Sequence, residues 1–141
     1  MNDASLKDKV PPHNLEAEQA TLGALLLDAE AVSTVIRYLR PDSFYSLQNQ
    51  KIFQAILSLF NKGQRSDLIT ITEELRQNGI LDAAGGQGYI ASLTDTVPTS
   101  ANVEYYAKVV LENSVRRSLL TISQKIIAEA HDQATESRAV L

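Results

Sequence analysis

The chain has 141 residues, a formal net charge of −4, 44% apolar residues and no cysteine. That is enough for one domain with its own core; disulfides and thiolate chemistry are excluded, and a reducing compartment, the cytoplasm, is expected. No apolar run approaches the ~20 residues that span a bilayer and the first ten residues are polar, which argues against a membrane span or a secretory signal.

The charge is unevenly placed. Residues 1–100 hold eight Lys/Arg against twelve Asp/Glu, and residues 101–141 hold five of each, so the acidic first part is poorly suited to gathering phosphates.

Residues 1–12 read as a flexible leader that ends at Pro11-Pro12. Asn14 is then placed to cap a first helix, with Glu16 and Glu18 in its first turn and Leu15, Leu22, Leu25 and Leu26 on one face. Ala31, Val32, Val35, Ile36 and Leu39 predict a second helix that Pro41 stops. After Phe44-Tyr45, the apolar positions Ile52, Phe53, Ile56, Leu57 and Phe60 predict a third helix, aromatic and central, ending at Gly63.

Thr70 and Glu73 stand at capping-box spacing and predict a helix from Ile71, with Gly79 as the left-handed residue that ends it. Gly85-Gly86 introduces a short helix carrying Tyr89, Ile90 and Leu93, and Val97-Pro98 breaks it. No segment sustains the alternation of a strand. The fold expected is all-α: a compact head of short helices, residues 13–98, followed by a subdomain over residues 99–141.

From Ala101 the chain runs without Gly or Pro to its end. Ser100 or Asn102 can cap a helix that persists to about Ala130, a rod of roughly 45 Å. Val103, Ala107, Val110, Val115, Leu119, Ile122 and Ile126 are read as one apolar stripe, with Val109, Leu120 and Ile127 on a second. One stripe can serve the head or a returning helix; the other needs a further partner. His131 to Thr135 reads as a polar turn, and Ser137 to Leu141 as the opening of a second arm that the sequence cuts off.

Candidate chemistry is sparse. The glycines at 85, 86 and 88 lack the Gly-Lys pair of a Walker A loop. His13 and His131 have no second histidine at ligand spacing, and Glu73-Glu74 and Asp28/Glu30 have simpler roles in capping and solvation. No catalytic, cofactor or metal residues are assigned. Arg116-Arg117 is either a solvated pair, with Glu112 reaching Arg116 at i,i+4, or a polar contact to a partner. Tyr105-Tyr106 suits an interface or packing on the head.

Several blocks of the chain carry a resemblance: P-P-H-N-L-E-A-E-Q-A-T-L-G-A-L-L-L-D from Pro11, F-Y at 44, I-F at 52, D-L-I-T-I-T-E-E-L-R-Q-N-G-I-L-D-A-A-G-G-Q-G-Y from Asp67, and N-V-E-Y-Y-A-K-V-V-L-E-N-S-V-R-R-S-L-L from Asn102. Over residues 10–128 the chain resembles the N-terminal domain of the bacterial replicative DNA helicase of the DnaB type. It departs from that pattern at Asn49-Gln50, where the family often has His-Arg.

The resemblance implies a head plus a helical hairpin, hairpins that pair between subunits, and a collar of three such pairs on a hexamer that docks primase and, in some settings, a loader. It also implies that ATP, magnesium and DNA are handled by a motor domain absent from this chain. Carried over position by position, it makes the rod the first hairpin arm, with Val103, Tyr106, Ala107, Val110, Val115, Arg117, Leu119, Ile122 and Ile126 as subunit-interface residues. The alternative is a stand-alone DNA-binding module in which the helix from Ile71 enters a groove.

Overall fold

The computed structural model describes residues 9–134 and 136; the sequence expectations for the start of the leader and for Ser137 to Leu141 fall outside them. Among the described residues every regular element is helical. The α-helices are α1 (Leu15–Leu27), α2 (Val32–Val35), α3 (Leu47–Asn61), α4 (Leu68–Gln77), α5 (Gly86–Leu93) and α6 (Val103–His131), with single 3-10 turns at Ala29–Ala31 and Pro41–Ser43.

Helix α1 starts where its cap predicts, the Asn14 side chain accepting from the Ala17 amide at 2.9 Å. It is buried on nearly all sides, from Ala17 and Glu18 through Ala20 to Leu26. Leu15 lies on the same side as Leu22 but, in the first turn of the helix, stays 42% exposed. Gly23 is required by packing: a β-carbon there would collide with the Leu93 carbonyl oxygen and the Thr96 hydroxyl, so α1 and the end of α5 meet backbone to backbone.

The predicted second helix is broken into pieces. Asp28 caps the Ala29–Ala31 turn, α2 adds one helical turn, and Ile36 to Tyr38 form a turn. Val32, Val35 and Leu39 are still buried at helical spacing. Pro41 does not merely stop this run; it opens the next 3-10 turn, since proline at a first helical position loses no hydrogen bond.

Helix α3 is central, with Ile52, Phe53 and Ile56 fully buried and Phe44 tilted against Phe53 at 5.0 Å between ring centroids. Phe60, the last residue but one of the helix, is partly exposed. Gly63 (φ 70°) and Gly79 (φ 71°) take the left-handed conformation after α3 and α4, as the sequence predicts.

Between those glycines the predicted start of α4 is displaced. The helix begins at Leu68 with Asp67 as its cap: the Asp67 carboxylate accepts from the Thr70 amide at 2.9 Å, and the Thr70 hydroxyl accepts from the Asp67 amide at 2.8 Å. Thr70 therefore belongs to a capping box, but as its third residue. Glu73 has no capping role and pairs with Arg76 at 2.8 Å on the exposed side. Starting three residues earlier packs Leu68 against the core and leaves Ile71 and Leu75 fully buried. Glu74 faces α3, where hydrogen bonds from Ser58 (2.9 Å) and Lys62 (3.1 Å) hold its carboxyl below its usual range.

A polar network ties α1, α3 and α5 together. The Glu18 carboxylate, 1% exposed, accepts from the Tyr45 amide (2.7 Å), the Ser46 amide (3.2 Å) and the Asn49 side chain (3.0 Å). Its charge thus sits at the start of α3, where the helix dipole favours an anion. Asn49 accepts in turn from the Tyr89 hydroxyl at 2.5 Å. This is what occupies the position of the departure noted above: Asn49 is buried and serves both neighbours. Burial first, with Glu18 adding its charge, pushes the Tyr89 phenol above the ordinary 10.0.

Two outcomes are expected. Asp67→Ala lowers stability by about 1 kcal/mol in urea denaturation, while Glu73→Ala, which removes only an exposed pair, changes it by at most about 0.5 kcal/mol; the reverse order would restore the later helix start. Because Tyr89 ionises more easily when unfolded, its contribution is intact below the ordinary tyrosine value and is lost as pH rises through that value toward the higher folded one. Tyr89→Phe should cost about 1 kcal/mol at neutral pH and flatten the alkaline loss of stability measured by thermal denaturation.

Candidate assembly interface on the long helix

Helix α6 covers 29 residues from Val103 to His131, about 43 Å at the usual rise. Neither predicted cap residue bonds its own helix start through a side chain: Asn102 occupies the cap position without such a bond, and the Ser100 hydroxyl donates instead to Asp28 at 3.1 Å.

The first turns of α6 complete the core of the head. Val103, Ala107 and Val110 are 7%, 0% and 2% exposed, and α1 is the main neighbour of the helix. From Ser118 to Ala128 every residue is exposed.

The single stripe read from the sequence is in fact two rows. At about 100° per residue, the step of five from Val110 to Val115 turns the next apolar side chain by about 140°. Val115, Leu119, Ile122 and Ile126 therefore leave the head-facing side, and they are 46%, 59%, 55% and 46% exposed. Their spacing of four, three and four is that of a coiled-coil seam. Val109, Leu120 and Ile127 lie on a further row, Val109 half-buried and the others 49% and 59% exposed. The side of the distal helix that continues the head-facing row is polar, with Ser114, Arg117 and Thr121.

Of the residues expected at a subunit interface, Val103, Ala107 and Val110 are thus spent inside the chain, because the head needs them to close its core. Arg117 is also engaged internally. Its guanidinium donates to the Pro12 carbonyl at 2.9 Å and the Ser43 carbonyl at 2.8 Å and lies 5.6 Å from the centre of the Tyr45 ring, on which His13 stacks at 4.2 Å. Neither sequence reading of Arg117 anticipated this clamp. Arg116 pairs with Glu112 at 3.1 Å along the exposed side, as its spacing predicts.

Tyr106 is half-buried and meets the exposed Tyr105 edge-on at 5.9 Å. Both line a groove of about 510 Å³ between α1 and the base of α6.

The other candidates separate in space. His13 belongs to the Tyr45 stack, and His131 is the last residue of α6. Gly85 (φ 98°) precedes α5 and faces the Tyr89 ring so closely that a β-carbon would overlap it. Among the described residues no three His, Asp or Glu side chains come together as metal ligands, and no helix is long and apolar enough to cross a membrane.

Fold and surface together define a small all-helical head from which one long helix projects with rows of exposed apolar residues. The chain belongs to the DnaB-like helicase N-terminal domain family, whose model matches residues 10–112. It is 51% identical over 136 residues to the replicative DNA helicase DnaB of Treponema pallidum, covering 96% of this chain and 31% of that protein. It is 40% identical to the replicative DNA helicase DnaC of Bacillus subtilis, covering 96% and 30%. The chain therefore spans about a third of the length of these curated relatives.

Among solved structures, the N-terminal domain of DnaB helicase from Mycobacterium tuberculosis superposes with a TM-score of 0.86 at 37% identity, covering 93% of this chain and 92% of that one. A DnaB-like replicative helicase, studied with its interactions with primase, superposes with a TM-score of 0.73 at 30% identity over 82% of this chain and 27% of that one.

Arg117→Ala should lower stability by about 2 kcal/mol in urea denaturation, the scale of charge-assisted hydrogen bonds. Arg117→Lys should recover little of it, since one ammonium cannot reproduce a planar fork across two carbonyls.

Proposed function

We propose that this chain is the assembly and partner-docking domain of a replicative DNA helicase, acting in the cytoplasm. Residues 13–98 form the docking head and residues 99–141 a helical-hairpin subdomain, in which the rod from Asn102 to Ala130 is the first arm. Hairpins pair between subunits, and three pairs make the collar of a hexamer that receives primase; a loader is a further candidate partner. ATP, magnesium and DNA are assigned to a motor domain outside this chain.

The observation that carries the reading is the distal half of α6, where Val115, Leu119, Leu120, Ile122, Ile126 and Ile127 are all exposed on one helix. Apolar surface concentrated in this way marks an interaction site. The seam formed by Val115, Leu119, Ile122 and Ile126 suits the returning second arm, and the row through Leu120 and Ile127 suits a neighbouring subunit. Entry of α4 into a DNA groove finds no comparable support, since its exposed side carries the Glu73–Arg76 pair and the bare Ile69 in an acidic head.

Sedimentation is the direct test. The chain should form dimers at micromolar concentration, and Leu119→Asp with Leu120→Asp should leave a folded monomer, because both positions are exposed and away from the head core. A wild-type chain that stays monomeric at high concentration would overturn the assembly role. Val110→Asp is unsuitable for this purpose, as it would bury a carboxylate in the head.

A further inference from the structure

We infer that Asn78-Gly79, at the C-terminal end of α4, is a self-modification site: the Gly79 amide nitrogen attacks the side-chain carbonyl carbon of Asn78, and water opens the resulting succinimide to isoaspartate or aspartate, at a rate held down by the cap of the helix.

The chemistry follows from the dipeptide. As the bond from the Gly79 nitrogen to Cγ of Asn78 forms, the amide proton passes to solvent base and the Cγ–Nδ2 bond breaks, so that Nδ2 leaves as ammonia. Water then breaks the bond from the ring nitrogen either to the main-chain carbonyl carbon of Asn78, giving isoaspartate, or to Cγ, giving aspartate. The attacking nitrogen must be unhindered, and glycine alone carries no Cβ beside it. Of the asparagines in the chain only Asn78 precedes a glycine. Both residues are exposed, and beyond its chain neighbours nothing lies within 4 Å of where a Cβ on Gly79 would stand, so water reaches the site.

The fold sets the rate. Asn78 has φ −85° and ψ 0°, so its own backbone nitrogen eclipses the Gly79 nitrogen and its Cβ is turned away. The five-membered ring closes only after ψ rotates. Two hydrogen bonds of the cap oppose that rotation, from the Gly79 amide to the Arg76 carbonyl (3.0 Å) and from the Ile80 amide to the Leu75 carbonyl (3.0 Å), as does the packing of Ile80 against the core. Reaction therefore requires the end of α4 to fray, a far smaller opening than unfolding of the head.

The product changes the contact between two helices. The Asn78 amide donates to the Glu74 carboxylate, beside the bonds from Ser58 and Lys62 that join α4 to α3. Conversion removes this donor, sets a second carboxylate next to Glu74 and adds negative charge at a helix C-terminus. Isoaspartate also routes the main chain through Cγ and lengthens it by one carbon. The modified chain has α4 loosened from α3.

The test is prolonged incubation of the intact chain in neutral buffer, read by peptide mass mapping and by methyl transfer from labelled S-adenosylmethionine with an isoaspartyl methyltransferase as the probe. Asn78 should convert ahead of every other asparagine, with isoaspartate in excess, and about tenfold more slowly than in urea, since a frayed helix end lies at the low end of local opening free energies. Ile80→Ala, which weakens the cap, should narrow that gap without changing the rate in urea. Gly79→Ala should slow conversion in urea, where backbone strain plays no part. Equal rates in the folded and urea-denatured chains would overturn the inference. So would a folded chain unconverted at Asn78 when the denatured one has fully converted, or conversion appearing first at another asparagine such as Asn113.

Discussion

The structure depends on the burial of α1. This helix has neighbours on nearly every side, and its small residues set how closely they come: Gly23 admits the end of α5, and Ala17, Ala20 and Ala24 are buried among the same neighbours. The one carboxylate drawn inside with it, on Glu18, is satisfied by two backbone amides and Asn49 at the start of α3. A buried charge without such donors would cost several kcal/mol, so the polar contacts of α1 specify where α3 begins as firmly as its apolar ones specify the core.

The same packing determines what α6 has left to offer. Its base is consumed in completing the head, and the Arg117 clamp joins the chain near Pro12, the turn at Ser43 and the middle of the helix. Beyond that clamp the head provides no cover. The exposed rows are the part of the helix that tertiary structure leaves unspent, and the direction in which the helix leaves the head is set by its buried base and the Arg117 clamp.

Features specified by neighbours in sequence were legible without coordinates. Asn14 as a cap, Gly63 and Gly79 as left-handed ends, the apolar spacing of α3 and the length of α6 all follow from interactions within one or two turns. The start of α4 was not, because D-x-x-T and T-x-x-E boxes overlap between Asp67 and Glu73, and both satisfy local rules. Burial of Ile71 and Leu75 with Leu68 against the core favours the earlier one. Glu18 carried a readable signal, lying three or four residues before the buried Thr21 and Leu22, yet its first-turn position invited a solvent-facing interpretation. The division of the apolar residues of α6 was also readable in principle, from the step of five between Val110 and Val115.

The amino-acid sequence by itself determined that the chain is helical, where most of its helices end, and, through blocks matching the DnaB N-terminal family, to which family it belongs. Only the tertiary structure decided which apolar residues of α6 are consumed and which remain available, that Arg117 closes an internal clamp, and that Asn49 mediates between Glu18 and Tyr89. The reason is reach: caps and turns are settled by backbone groups a few residues apart, whereas Arg117 finds its acceptors 105 and 74 residues away, where no local pattern records them.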